Sequence, residues 1–108
     1  MPKYLIQATY TPEGLQGLRK DTAAGRKAAV QAALKSLNGK VESMYFTFGA
    51  DDVLLIVDLP DNVAAAAIAL HASASGLVRL RTTPLLTVAE TDEALALPSK
   101  YSGPGAGK

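Results

Sequence analysis

The segment Tyr45-Phe-Thr-Phe-Gly-Ala-Asp-Asp-Val-Leu-Leu-Ile-Val-Asp-Leu-Pro-Asp61 sets the architecture of the chain. Two alternating apolar runs flank a short Gly/Asp turn, which predicts a β-hairpin with strands over 40–48 and 52–59. The second run ends in Pro60-Asp61, where an aspartate can cap a helix. A helix rich in alanine is therefore expected from Asp61 to about Ala74, its small side chains letting it lie close against a sheet.

Outward toward the N-terminus, residues 3–10 alternate Lys3, Leu5, Gln7 and Thr9 with Tyr4, Ile6, Ala8 and Tyr10. That is a half-buried strand. Thr11-Pro12 supplies a capping hydroxyl and a proline at the first helical position. The helix that follows is expected to break near Asp21 or Thr22 and to resume with Val30, Ala33, Leu34 and Leu37 at helical spacing. Asn38-Gly39 is a stop signal, with Gly39 as the residue suited to the left-handed conformation.

Outward toward the C-terminus, Gly76 ends the second helix, and residues 77–88 alternate as a fourth strand. Pro84 requires that strand to lie at an edge, bulge or bend. Thr91-Asp-Glu opens a short helix that Pro98 closes, and the Gly/Pro-rich segment 99–108 is expected to be disordered. One α+β domain over residues 1–98 follows, of βαββαβ order: a ferredoxin-like antiparallel sheet with two helices on one face.

The other face of the sheet carries the assembly argument. Alternation assigns to it Leu5, Gln7, Thr9, Ser43, Tyr45, Thr47, Val53, Leu55, Val57, Arg79 and Arg81. Val53, Leu55 and Val57 are too apolar for an uncovered patch, and no segment remains to cover them. A homodimer or higher homo-oligomer is expected, two sheets closing into a dimeric α+β barrel around a cavity.

Composition narrows the function classes. Eleven basic and ten acidic side chains leave a net charge of +1, and no global field recruits nucleic acid or a membrane. Arg19, Lys20, Arg26 and Lys27 cluster locally, as a solvated helix face does. The absence of cysteine removes disulfides, thiolate nucleophiles and Cys-based metal sites. With a single histidine, a preformed multi-histidine metal site within one chain is not expected. No metal and no cofactor are expected. The apolar helical run 64–70 falls far short of the ~20 residues that span a bilayer. The opening Met-Pro-Lys-Tyr has no signal-peptide character, and a cytoplasmic location is expected. Gly103-Pro-Gly-Ala-Gly107 has no following helix to present to phosphate. The open face also lacks the stacking aromatics of an RNA-recognition sheet.

In order and spacing, Tyr10-Thr11-x-x-Gly14, Arg26, Gly39, Tyr45-x-Thr47-x-Gly49-x-x-Asp52-Val53, Pro60-Asp61 and Gly76-x-Val78-Arg79-x-x-Thr82 resemble the GYD-domain family across residues 3–90. The resemblance implies the dimeric α+β barrel fold and no agreed biochemical activity. The tyrosine that names the family is absent: within Gly49-Ala50-Asp51-Asp52, Ala or Asp stands in its place.

Six residues are candidates for ligand contact: Gln7, Tyr45, Thr47, Asp52, Arg79 and Arg81. Hydroxyls and an amide on an apolar wall can orient a small molecule, or satisfy one another across a dimer. Asp52 is either a proton acceptor or anchor at the cavity mouth, or a turn aspartate bonded to local backbone. The two arginines need an anionic partner. It is either a ligand or Asp58, Glu42 or Asp52 of either chain. His71, on the second helix, lies across the sheet from the expected cavity. Two functions stay open: a non-enzymatic oligomeric protein that binds a small, anionic molecule or serves as a scaffold, and a cofactor-free monooxygenase or isomerase acting on an aromatic or polyketide-like substrate.

Overall fold

The computed structural model describes residues 1–106, so the last two residues of the expected tail lie outside it. Seven elements follow one another: β1 (Lys3–Tyr10), α1 (Pro12–Ser36), β2 (Lys40–Phe46), β3 (Val53–Asp58), α2 (Asn62–Ala74), β4 (Val78–Leu85) and α3 (Val88–Ala96). The four strands form one antiparallel sheet in the order β2-β3-β1-β4. The fold is α+β and ferredoxin-like, as the βαββαβ order implies.

Local chemistry sets the helix boundaries. Thr11 sits in extended backbone and its hydroxyl accepts the Gly14 N–H at 3.2 Å, while Pro12 occupies the first turn. Gly14 lies against the Leu77 carbonyl, which a Cβ at this position would meet at 1.9 Å, so β4 can approach α1 only over a glycine. α1 does break where expected, at Thr22, whose φ of 69° and ψ of 166° are non-helical. The Thr22 hydroxyl then accepts the Gly25 N–H and restarts the helix. At the far end of α1 the left-handed residue is Asn38 (φ 61°) and not Gly39. Gly39 serves a different need, because a Cβ there would fall 2.5 Å from the Asp58 carbonyl oxygen. Asp61 caps α2 by accepting the Ala64 N–H at 2.9 Å.

α1 lies over β1 and β2, and α2 lies over β4, on the same side of the sheet. Beneath them Tyr4, Ile6 and Ala8 of β1 and Val53, Leu55 and Val57 of β3 are buried with Leu34 of α1 and Ala65 of α2. This corrects the expected placement of Val53, Leu55 and Val57 on the open face. Tyr4 pairs with Val57, Ile6 with Leu55 and Ala8 with Val53, and directly opposed side chains share a face. Leu54 and Ile56 take the open face instead. β3 is an interior strand apolar on both sides, so alternation alone does not say which set faces the helices, and a one-residue slip exchanges them.

The C-terminal part is also corrected. β4 stops at Leu85, and Val88, expected as strand, begins α3. Thr87, not Thr91, is the cap: its hydroxyl accepts the Glu90 N–H while the Glu90 carboxylate accepts the Thr87 N–H, a reciprocal capping box. Pro84 lies on β4, an edge strand, as its lack of an N–H requires. No helix among the described residues is long and apolar enough to cross a membrane.

Candidate functional site

The open face is organised by pairing across all four strands. Tyr45 on β2 opposes Leu54 on β3, Leu54 opposes Gln7 on β1, and Gln7 opposes Arg81 on β4, which makes one continuous row. A parallel row runs Ser43, Ile56, Leu5 and Thr83. Thr9 and Arg79 form the next pair toward the β2–β3 loop. Four of the six expected site residues (Gln7, Tyr45, Arg79 and Arg81) are thus brought to one surface. The centre of that surface is apolar, with Leu5, Leu54 and Ile56 half-buried by their neighbours and Tyr45 65% exposed.

Thr47 and Asp52 are placed elsewhere, in the loop that closes the hairpin. The Thr47 N–H donates to the Asp52 carbonyl at 2.8 Å, and the Thr47 hydroxyl donates to the Asp51 carbonyl at 2.6 Å. The Asp52 N–H donates to the Ala8 carbonyl, and the Asp52 carboxylate accepts the Tyr10 N–H at 2.8 Å. Asp52 therefore fastens the loop to the end of β1, bonding the backbone of another strand and not that of its own turn.

The aspartate at the site is its neighbour. Asp51 accepts the Thr9 hydroxyl at 3.2 Å through one oxygen and pairs with the Arg81 guanidinium at 2.6 Å through the other. It is none of the carboxylates expected to meet the arginines, and it was missed because Asp51 and Asp52 look alike in sequence. What separates them is the backbone anchorage of Asp52, which turns the preceding side chain toward β4. Arg79 has no carboxylate partner among the described residues. With Thr9, Asp51 and Arg81 it lines an open groove of about 320 Å³.

A second charged cluster closes the opposite end of the face. Lys3 donates to Glu42 and, at 2.8 Å, to the buried carboxylate of Asp58. The hydrogen bond to Asp58, then that to Glu42, raises the Lys3 pKa above the ordinary lysine value. The open face is thus an apolar strip held between two sets of ion pairs. His71 sits on the helix side, as expected, and lines a hollow there.

The family model of the GYD domain matches residues 4–95, nearly all of the ordered elements just described. The chain belongs to the GYD-domain family. No curated protein matches it.

Proposed function

We propose that this GYD-domain protein acts as a homodimer or larger homo-oligomer in which open sheet faces pair, enclosing a space that binds a small anionic molecule. The open face carries the reading. Leu5, Leu54, Ile56 and Tyr45 form an apolar centre that the described residues leave partly exposed, with ion pairs at both ends, and interfaces share that plan of apolar core and polar rim. A single uncovered sheet face of this kind is costly in water and is relieved by a second copy of itself.

Arg79 supports the ligand half of the proposal. A pairing of sheets would withdraw its guanidinium from water, and a withdrawn cation requires an anion. Arg81 is already neutralised by Asp51, which leaves Arg79 to meet the incoming charge. A binding or assembly role fits better than proton-transfer catalysis, because Asp52 is committed to the Tyr10 backbone and Asp51 to Arg81 and Thr9. α3 adds to the assembly: none of its residues is buried, and Val88, Leu95 and Leu97 stand exposed beside the sheet as an arm for a neighbouring subunit.

Sedimentation velocity of the wild type and of Leu54→Lys tests the pairing. The wild type is expected to sediment as a dimer or larger species, and Leu54→Lys, which places an ammonium in the apolar centre, as a monomer with an unchanged circular dichroism spectrum. Equal sedimentation of the two proteins would move the interface off this face.

A further inference from the structure

α1 and α2 rest on opposite sides of the same sheet face and pack on the strands far more than on each other. Between them lies a hollow of about 310 Å³, at the lower end of the range of small-molecule sites. Its floor is the apolar sheet surface around Ile6, Ala8 and Leu55. Its walls carry Ala29 and Ala33 from α1 and Ala72 from α2, where longer aliphatic side chains would fill the space. The alanines that let the helices sit close to the sheet also leave this space open.

The polar side chains that line the hollow are Arg26, Tyr10 and His71. Arg26 precedes Ala29 and Ala33 on one helical stripe, and all three line the hollow. Among the described residues the one ion pair of Arg26 is a 3.5 Å contact with a half-exposed Asp21 carboxylate, which leaves most of its five donors unused there. Neither the Tyr10 hydroxyl nor the His71 ring has a hydrogen-bond partner among the described residues.

We infer that this hollow is a binding site for a small amphiphile with an apolar chain and an anionic head, a medium-chain carboxylate. The chain lies between the alanine walls on the sheet, and the carboxylate is held by the Arg26 guanidinium in the planar, two-pronged geometry that pairs these groups. Tyr10 and His71 supply the remaining hydrogen bonds. Decanoate is a carboxylate of this class and serves as the probe. The site is on the opposite side of the sheet from the proposed dimer face and is independent of it.

Calorimetric titration of the full chain with decanoate, kept below its micelle-forming concentration, tests the inference against decanol and acetate. One decanoate per chain is expected, with decanol at least tenfold weaker and acetate without measurable binding. Ala72→Leu and Ala33→Leu, which fill the hollow, are expected to abolish binding while melting no lower than the wild type. Arg26→Gln is expected to weaken decanoate at least tenfold and to leave decanol unchanged. Leu54→Lys, on the other face, is expected to bind decanoate as the wild type does, whatever its oligomeric state. Absence of saturable binding, equal affinity for decanoate and decanol, or undiminished binding by both filled variants would overturn the site.

Discussion

Asp51 and Asp52 show how two adjacent carboxylates divide their work. Asp52 accepts a backbone N–H from Tyr10 and fixes the loop, and the fixed loop aims Asp51 at Arg81 and Thr9. Strand alternation alone brought Gln7, Tyr45, Arg79 and Arg81 to one face, because on β1, β2 and β4 the two faces differ in polarity. Asp51 was not legible in the same way, since a loop residue's direction depends on hydrogen bonds to another strand. Lys3 yields a test at this scale. Its folded pKa is raised by Asp58 and Glu42, so its stabilisation is complete below the unfolded lysine pKa and is lost as pH rises through the folded value. Thermal unfolding of the wild type and of Lys3→Met is expected to differ most near neutral pH, with the wild type more stable. The gap should narrow above the ordinary lysine range; a gap constant through alkaline pH would show that Lys3 acts without its charge.

At the scale of elements, capping chemistry was readable and strand phase was not. Thr11-Pro12, Asp61 and Gly76 mark their boundaries through hydroxyl or carboxylate acceptors and a left-handed glycine, all local signals. The Thr87–Glu90 capping box was equally local, but the alternation of β4 ran past its end and masked it. The phase of β3 is a tertiary property: both faces of Val53–Asp58 are apolar, and only pairing with β1 selects the helix side. The break in α1 stores strain, because Thr22 is β-branched and holds a backbone conformation that is essentially glycine's. Relief of about 1–3 kcal/mol of strain outweighs the few tenths lost when glycine replaces a threonine cap and the extra chain entropy of about 0.5–1 kcal/mol. Thr22→Gly is therefore expected to stabilise the fold by a net of roughly 1 kcal/mol, read as a higher urea unfolding midpoint. A lower midpoint would mean that the strained turn is not held in solution.

The whole molecule is elongated. Its described residues extend 61 × 30 × 23 Å with a radius of gyration of 17.4 Å, where a compact chain of this length has about 13 Å. Exposed apolar side chains lie along the extensions, with Leu86, Val88, Leu95, Leu97 and Tyr101 all following β4. That shape and the exposed apolar surface accord with the proposed association of copies of the chain. The sheet separates two surfaces, an apolar face bordered by charge and a helix-side hollow lined in part by Arg26. The open face is central to the account, and native mass spectrometry of the protein purified from its own host, beside Arg79→Ala, tests it most directly. The expected result is a dimer or higher oligomer carrying a small anionic molecule in fixed ratio, which Arg79→Ala loses while keeping its assembly. A monomer at micromolar concentration would contradict the pairing of open faces and the enclosed site that depends on it.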